Sequence, residues 1–216
     1  MFSTVLSGTI YGMESHLVQV EVDLYSGLPC FVMVGSLGGE VRESGERVRI
    51  ALKNSGITLP PVHVSVNLSP ADLKKEGTGF DLPIALGVLA AQGRIPAGCT
   101  DDTLIMGELG LAGEIKRVRG VLPLAIKAVD AGIKKCIVPK ENVREAAAAA
   151  GMRAVGVSGL NEVISYLKLP KEKQDKMLPP LEACFDKNPS GRNDEKGAEG
   201  GPDFAEIAGQ ESVKNA

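Results

Sequence analysis

The residues with the clearest potential for chemistry lie in a charged, glycine-rich loop between a strand and a helix. The alternating strand ends at Leu68, and the loop leads into a helix that begins at Asp81. In one class of enzymes a strand, a turn and a helix in this order present a nucleophile. Thr78 supplies a hydroxyl in the loop, but the usual nucleophile is missing. The loop therefore predicts the framework of a catalytic site without its reacting group.

Two short basic segments accompany this framework. Lys74 and Lys75 lie in the glycine loop, and Lys116, Arg117 and Arg119 lie in a later turn. If the two segments converge in space, their side chains form a local positive rim that can bind phosphate groups. The alternative is ordinary solvated loop charge, and the sequence does not decide between the two.

Composition limits the class of protein. The 216 residues suffice for one ordinary domain with an extension, and 44% of them are hydrophobic while only 4% are aromatic. A core built mainly from Val, Ile, Leu and Ala is typical of layered α/β proteins. The formal charge of −3 argues against a domain that coats nucleic acid, although it is compatible with a local basic stripe.

The cysteines and the start of the chain indicate a cytoplasmic protein. The four cysteines, Cys30, Cys99, Cys136 and Cys184, form no CxxC pair, so we expect reduced thiols that are buried or incidental. His63 is interpreted as a solvent-facing strand residue, because no acid or thiol is near it in sequence. The two histidines are too far apart to support a zinc site. No signal peptide is visible, and no apolar run approaches the ~20 residues of a membrane span.

Hydrophobic periodicity predicts a mixed sheet with packed helices. Strands are expected over 17–23, 30–34, 62–68, 135–139 and 154–157, a hairpin over 104–118, and helices over 40–55, 81–92, 122–131, 141–150 and 160–167. The apolar strand 30–34 is expected to be buried on both faces. The helix after Asp81 has no polar side and is expected to lie in the core. Asp81 is expected to cap it, the alternative being a polar contact at the loop site.

Three segments are expected along the chain. Residues 1–169 carry the periodic pattern of a folded domain. From 170 to 201 apolar residues become sparse, as in a flexible linker. Residues 202–216 are partly apolar again and end within a predicted helix, as the start of a truncated further domain would.

Several runs in the same order resemble one family. They are Val41-Arg-Glu-Ser44, Arg47-Val-Arg49, Ala51-Leu-Lys-Asn-Ser-Gly56, the whole stretch from Val66 to Ala85, Gly107-Glu-Leu109, Arg119-Gly-Val-Leu-Pro123 and Val138-Pro-Lys-Glu-Asn142. Together they resemble the ComM/YifB family, which are magnesium-chelatase-like ATPases of the AAA+ class. The resemblance covers residues 1 to about 169 and resumes at 202–216, which is similar to the lead-in of the ATPase module. One departure is the loop Gly35–Glu40, where the family usually has a Pro-Asp pair.

The resemblance implies a fold similar to the proteolytic domain of Lon, that is an α/β (α+β) fold of the ribosomal-protein type with a mixed sheet and packed helices. Lon-type proteases use a Ser–Lys dyad, in which a lysine of lowered pKa takes the serine proton. The Lon motifs, laid over this chain, place the nucleophile at or beside Gly79 and the lysine at Leu122. Neither residue can do this chemistry. A substitute dyad would need the Thr78 hydroxyl and one of the loop lysines, which lie on flanking segments.

The same resemblance implies an accessory N-terminal domain, without a protease dyad, of a hexameric AAA+ ATPase that acts on DNA in branch migration during recombination and natural transformation. ATP and Mg²⁺ are then expected cofactors of the full-length protein. None is expected in this fragment, because residues 1–216 contain no GxxxxGK[ST] loop, which should lie beyond Ala216.

The expected partners are copies of the same protein in a homo-hexamer, formed through the ATPase domain, and DNA, with no membrane. The basic rim is then a candidate DNA or subunit contact, and the fragment itself is expected to be non-catalytic. One alternative is a peptidase or peptide-binding Lon-like domain. Another is a magnesium chelatase subunit, although nothing in this segment resembles a tetrapyrrole site.

Overall fold

A computed structural model describes residues 1–183 of the chain. The predicted start of the ATPase module at 202–216, most of the predicted linker and Cys184 lie outside the described residues. Within 1–183 the strands are β1 Phe2–Tyr11, β2 Glu14–Tyr25, β3 Cys30–Val34, β4 His63–Ser69, β5 Thr103–Ile105, β6 Glu108–Leu109, β7 Ile115–Lys116, β8 Lys135–Pro139 and β9 Arg153–Val157. The helices are α1 Gly39–Asn54, α2 Asp81–Ala91, α3 Val121–Asp130, α4 Val143–Ala147, α5 Leu160–Lys168 and α6 Lys171–Met177, with a 3₁₀ turn at Lys140–Asn142.

Seven strands form one mixed sheet in the order β3-β4-β2-β1-β5-β8-β9. The pairs β1–β2 and β2–β4 are antiparallel, whereas β3–β4, β1–β5, β5–β8 and β8–β9 are parallel. The small hairpin of β6 and β7 stands apart from this sheet. The predicted mixed α/β fold is confirmed.

Alternating side chains of the parallel strands enter two separate cores. Ile105, Ile137 and Val155 join the core formed with α1, α2 and α5. Their neighbours Leu104 and Cys136 join the second core, formed with α3 and α4. This half of the sheet is therefore covered on both faces, as is usual where parallel strands are connected by helices.

Helix α2 lies in the first core, as its lack of a polar side predicts. Ten of its eleven residues are buried. Gly87 lets the helix approach the sheet closely, because a Cβ at this position would lie 2.7 Å from Cγ2 of Val22 on β2. The glycine loop before α2 is thus attached to one of the most buried elements of the domain.

Strand β3 is the edge strand, and the prediction that it is buried on both faces is wrong. Phe31 and Met33 pack against the first core and approach Gly45 of α1. Cys30, Val32 and Val34, which point the other way, are exposed. The apolar run predicted burial wrongly because β3 is an edge strand: within residues 1–183 it pairs with β4 alone, and alternate side chains remain exposed.

The first part of the predicted linker is folded onto the domain. Helix α6 lies between 170 and 178, and Leu181 forms an isolated bridge with Ala154 of β9. Gln174 is buried and accepts a hydrogen bond of 3.1 Å from Lys135 Nζ on β8. Leu178, directly after the helix, packs against the first core. Composition missed this attachment because a single leucine, one buried amide and a backbone bridge leave no periodic apolar pattern in the sequence.

Among residues 1–183, each helix is too short or too polar to cross a bilayer.

Candidate functional site

The glycine loop and the turn after β7 converge on one cleft of about 540 Å³. Thr78 and Gly79 line it from the loop before α2, and Arg117 and Arg119 line it from the turn after β7. Residues of β1, α1, β6 and α3 contribute to its other walls. We call this space the loop cleft. It brings together the segments that the sequence associates with a Lon-type site.

Thr78 is held in the loop cleft by an acid. Its Oγ1 donates a short hydrogen bond of 2.5 Å to Oε2 of Glu108 on β6. A Ser–Lys type mechanism requires a neutral amine at the hydroxyl instead. Among residues 1–183, no lysine lines the cleft. The arrangement of Thr78 therefore lacks the base that such a mechanism needs.

Gly79 and Leu122, the positions that match the Lon dyad, differ in their surroundings. A Cβ built on Gly79 would meet no heavy atom within 4 Å, so a side chain there would project into open space. Leu122 is half-buried, packs against the second core and is not a lining residue of the loop cleft. The backbone N–H of Leu122 donates to Oε1 of Glu145 at 3.2 Å, as does that of Val121 at 3.0 Å. Glu145 thereby accepts hydrogen bonds from two backbone N–H groups in the first turn of α3, which have no partner within the helix.

Lys75 does not belong to a solvent-exposed rim, which corrects the predicted basic surface. Its side chain is completely buried, and Nζ donates a hydrogen bond to the carbonyl oxygen of Pro70. Burial lowers the pKa of Lys75, and the charge of Asp72 opposes that shift. A buried amine that donates to a carbonyl inside the loop cannot reach a phosphate group.

The loop Gly35–Glu40, where the sequence departs from its family, pairs with the backbone of Lys75. The Lys75 N–H donates to the carbonyl of Ser36, and the Gly38 N–H donates to the carbonyl of Lys75, both at 2.8 Å. Leu37, which is buried, forms a parallel bridge with Lys75. The unusual loop is therefore a backbone partner of the glycine loop.

The other four basic residues are exposed but differ in their partners. Lys74 forms an ion pair of 2.6 Å with Glu76, and Lys116 lies 3.7 Å from a carboxylate oxygen of Glu114. Arg117 and Arg119 make no salt bridge within residues 1–183. These two guanidinium groups are therefore the members of the predicted rim that are both in the loop cleft and unpaired within the described part of the chain.

Asp81 is not the N-cap of α2, which corrects its predicted role. Phe80 occupies the cap position, and Asp81 is fully buried in the first turn. Arg47 of α1 donates from Nε to Oδ2 at 2.8 Å and from Nη2 to Oδ1 at 3.0 Å. The N–H of Leu109 on β6 donates to Oδ2 at 3.1 Å. The hydrogen bonds to Asp81, with its charge, raise the pKa of Arg47, so the guanidinium stays charged.

Sequence reasoning missed the acids of the loop cleft. Glu40, at the start of α1, accepts a hydrogen bond of 3.1 Å from the N–H of Gly77. Glu40, Glu76 and Glu108 line the cleft together with the two arginines. The cleft thus has a mixed charge rather than a purely positive one. Glu108 belongs to one of the runs that resemble the family, and Glu40 directly precedes another. Their place in the cleft follows from the fold and not from any local pattern.

A second group of polar residues lies on the outer face of the sheet. His63 lies on the face of β4 that is turned away from the buried valines, and its Nδ1 lies 2.8 Å from Sγ of Cys30. No local pattern indicates this contact, because the two residues are 33 positions apart. Within residues 1–183, His, Cys, Asp and Glu side chains form no group of three or more that could hold a metal ion.

Comparison with known proteins agrees with the resemblance that the motifs indicate. The family model described as "Subunit ChlI of Mg-chelatase" matches residues 20–142, which is more than half of the chain. The chain belongs to this magnesium-chelatase-like family. It is 35% identical over 214 residues to "Competence protein ComM" of Haemophilus influenzae, which covers 98% of this chain and 40% of the relative. It is 37% identical over 166 residues to "Uncharacterized protein YifB" of Escherichia coli, which covers 77% of this chain and 33% of the relative.

A weaker similarity extends to Lon. The chain is 27% identical over 152 residues to "Archaeal Lon protease" of Pyrococcus abyssi, covering 68% of this chain and 15% of the protease. The chain spans only part of its more similar relatives, between 32% and 40% of the length of the mycobacterial, ComM and E. coli YifB proteins. The similarity to Lon supports the Lon-like fold that the motifs predict for this magnesium-chelatase-like chain.

Proposed function

We propose that the chain is the Lon-like accessory domain, without proteolytic activity, of a hexameric AAA+ ATPase that acts on DNA. The claim that the domain lacks proteolytic activity rests on the arrangement of Thr78. Its hydroxyl donates to the Glu108 carboxylate, while the dyad positions carry Gly79 and Leu122. A hydroxyl without a neighbouring amine lacks the base that the Ser–Lys mechanism uses for acyl transfer.

The ATPase activity would belong to a part of the protein beyond this chain. Support comes from the family match and from relatives that are about 2.3 to 2.5 times as long as the chain. ATP and Mg²⁺ would bind to a GxxxxGK[ST] loop, whose backbone N–H groups and lysine hold the phosphates. The coding sequence beyond codon 216 is expected to encode this loop. A coding sequence that ends without it would overturn the ATPase assignment.

Contact with DNA would be made through Arg117 and Arg119. Both are exposed in the loop cleft and have no ion pair within the described residues, so their guanidinium groups are available to phosphate oxygens. The neighbouring carboxylates of Glu40 and Glu108 limit the strength of that contact. A ring of six domains would multiply it, since several weak sites on one assembly bind together. Branch migration during recombination is the DNA reaction we propose, in line with the competence function in the name of the ComM relative.

The test measures DNA binding by the full-length protein with Arg117→Ala and Arg119→Ala combined. Loss of two phosphate contacts per subunit should weaken binding uniformly across sequences and reduce the salt slope by about 2. The matched control combines Arg94→Ala and Lys168→Ala, which remove the same charge from exposed positions outside the loop cleft. Unchanged affinity and slope in the first variant, or equal loss in both, would leave the domain with a scaffold role only.

The peptidase alternative has its own assay. Casein cleavage by the 216-residue chain that is abolished by Thr78→Ala would replace the proposal with a proteolytic function. We expect no cleavage by either chain. The magnesium chelatase alternative is supported by the name of the family model alone, and it predicts that the full-length protein stimulates metal insertion into a porphyrin.

A further inference from the structure

The hairpin that joins β1 to β2 ends in an exposed apolar turn. Tyr11 and Glu14 are register partners in this antiparallel pair, so Gly12 and Met13 form the turn by themselves. Gly12 has φ +61° and Met13 a negative φ, as the central residues of a type II′ turn have. Met13 is completely exposed and Tyr11 is half-exposed. We call Tyr11, Gly12 and Met13 the hairpin tip.

A methionine at this place serves neither the turn nor the core. Turns favour Gly, Asn, Asp and Ser, whose small or polar side chains suit the turn backbone. A large apolar side chain that stays in water contributes no burial to folding, whereas contact with an apolar surface of a partner removes its area from water. The flexible thioether of methionine also adapts to surfaces of irregular shape. The side chain of Met13 therefore indicates a contact site.

The hairpin tip stands directly beyond the loop cleft. Thr9, near the end of β1, is held to the backbone of Glu76 in the glycine loop, since its Oγ1 donates to the carbonyl at 3.5 Å and accepts from the N–H at 3.3 Å. Ile10 lines the cleft, and a Cβ on Gly120 would clash with its Cδ1, so β1 packs closely against the turn that carries Arg119. Both basic segments are thus fixed to the base of the hairpin tip.

Cations lie beside the tip on both sides. Arg117 and Arg119 are exposed, line the cleft and make no ion pair within residues 1–183. On the other side, the hydrogen bond and charge of Glu76 raise the pKa of Lys74, with a smaller contribution from Tyr11 nearby. An apolar projection beside unpaired guanidinium groups is complementary to a partner that combines apolar faces with phosphate groups.

The acid next to the tip does not face the cleft. Glu14, the register partner of Tyr11, lies 3.5 Å from Nε2 of His16 through its Oε2. Both residues line a separate depression with α3 and are not lining residues of the loop cleft. The approach from the tip to the two arginines is therefore open to an anionic strand.

DNA with an unpaired base has the required combination of surfaces. In a continuous duplex the base faces are stacked against each other, whereas a base at a fork or junction exposes a ring face between two phosphates. Aromatic side chains stack on such bases. Apolar side chains, methionine among them, insert as wedges between base steps. Guanidinium groups bind the adjoining phosphates.

We propose that the hairpin tip is a wedge that binds an unpaired base at a DNA junction. Tyr11 stacks on the base, and Met13 packs against the neighbouring base step. Arg117 and Arg119 hold the flanking phosphates. This inference rests on the proposed function, because it requires a protein that binds DNA. It adds that the domain distinguishes forked DNA from fully paired DNA.

Fluorescence anisotropy tests the wedge with the full-length protein, a forked DNA and a fully paired duplex of equal length. Tyr11→Ala combined with Met13→Ser should lower affinity for the fork about tenfold and affinity for the duplex less than about twofold, since a base–aromatic stack is lost only in the fork. Tyr11→Phe keeps the ring and should bind the fork as the wild type does.

The matched control is Phe2→Ala combined with Leu28→Ser. It removes an exposed aromatic and an exposed aliphatic side chain at the opposite end of the β1–β2 hairpin. Its affinities for fork and duplex should equal those of the wild type. A loss for the fork as large as that of the tip variant would overturn the wedge.

The variant with Arg117→Ala and Arg119→Ala separates the wedge from the proposed function. It should weaken binding to fork and duplex alike, and unchanged binding would overturn the proposed DNA contact. If it weakens both while the tip variant binds both as the wild type does, the DNA contact stands and the wedge is overturned. The wedge is also overturned if the tip variant loses affinity equally for both DNAs, or if sedimentation shows a smaller assembly, which would make the tip a subunit contact.

A crosslink gives a direct readout of stacking. Iodouracil at the unpaired position of the fork couples under irradiation to an aromatic side chain that stacks on it. Mass spectrometry of the crosslinked peptide should identify Tyr11, and Tyr11→Ala should abolish this product. Crosslinking at other residues with none at Tyr11 would contradict the wedge.

Discussion

Arg47 of α1 donates two hydrogen bonds to the buried carboxylate of Asp81 at the first turn of α2. The same carboxylate accepts the N–H of Leu109, so one ion pair connects α1, α2 and the β6–β7 hairpin. Arg47 also donates to the carbonyl of Glu40, which lines the loop cleft. The shape of the cleft therefore depends on a residue pair that lies beneath it.

Removal of one member of this pair should be strongly destabilising. Arg47→Ala leaves Asp81 as a buried charge without a cation, and we expect the free energy of unfolding to fall by about 3 kcal/mol. Urea denaturation at pH 7 measures it. Arg49→Ala, which breaks an exposed ion pair with Glu46 two residues along the same helix, should change stability by at most about 0.5 kcal/mol. Equal effects of the two substitutions would contradict a structural role for the Arg47–Asp81 pair.

The sequence predicts helix α2 but not the polar partner of its buried Asp81. Helix α2 is apolar on all sides, and this pattern predicts its burial correctly. The single acid in its first turn was interpreted as a cap, a local role. A buried carboxylate in an apolar helix requires a cation, and that requirement was the available signal. Which arginine supplies it depends on the packing of α1 against α2, and no local pattern contains that information.

Burial of Lys75 could not be predicted for a similar reason. Two adjacent lysines in a glycine loop resemble an exposed basic patch. The loop 36–38, nearly 40 residues earlier, pairs with the backbone of Lys75, whose side chain is buried. The expectation for β3 failed in the same way, since a strand's position at the sheet edge is a property of the topology. Sequence pattern predicted most of the elements, although not β1 or α6, and contacts between distant loops determine the geometry of the site.

The burial of Lys75 predicts a pH-dependent stability. Its pKa is lowered in the folded state, so the unfolded chain binds more protons between that lowered pKa and about 10.4, the ordinary value. Stability therefore rises as pH increases through this window, and the contribution of Lys75 is least favourable below it. In Lys75→Met this contribution is absent.

The measurement compares the free energies of unfolding of the wild type and Lys75→Met from pH 7 to pH 10. The free energy of unfolding of the wild type minus that of Lys75→Met should increase as pH rises. Lys74→Met is the control, because Lys74 is exposed, and its difference from the wild type should not rise in this way. A pH-independent difference for Lys75→Met would show that the amine is hydrated in solution.

Gly79 in the loop cleft and Gly120 at the start of α3 should respond differently to a methyl group. Gly120 has φ +76°, and a Cβ there would lie 2.3 Å from Cδ1 of Ile10, so Gly120→Ala should destabilise the domain by about 1–3 kcal/mol. Gly79→Ala enters open space and should change stability by at most about 0.5 kcal/mol. Thermal unfolding of both variants tests this, and a loss at Gly79 as large as that at Gly120 would contradict the open cleft.

Open space at Gly79 also permits a direct test of the missing dyad. Gly79→Ser restores a hydroxyl at the position that matches the Lon nucleophile, and Leu122→Lys adds the amine. We expect the double variant to remain inactive on casein, because Leu122 packs against the second core and does not line the cleft. Cleavage by the double variant, but not by either single one, would show that the dyad geometry has survived without its side chains.

The attachment of α6 predicts where the stable domain ends. Gln174 is buried, accepts a hydrogen bond from Lys135 and donates to the carbonyl of Leu169 at 3.0 Å. Arg153 of β9 binds Asp175 at 2.9 Å, in an exposed pair that contributes little. A chain that ends at 169 loses these contacts and leaves Lys135 half-buried without its amide partner. Its free energy of unfolding should therefore be about 1–3 kcal/mol lower than that of a chain that ends at 183.

Gln174→Ala in the longer chain should reproduce much of this loss, whereas Asp175→Ala should not. If chains ending at 169 and 183 unfold at the same urea concentration, α6 does not stabilise the domain and the composition-based boundary at 169 is the better one.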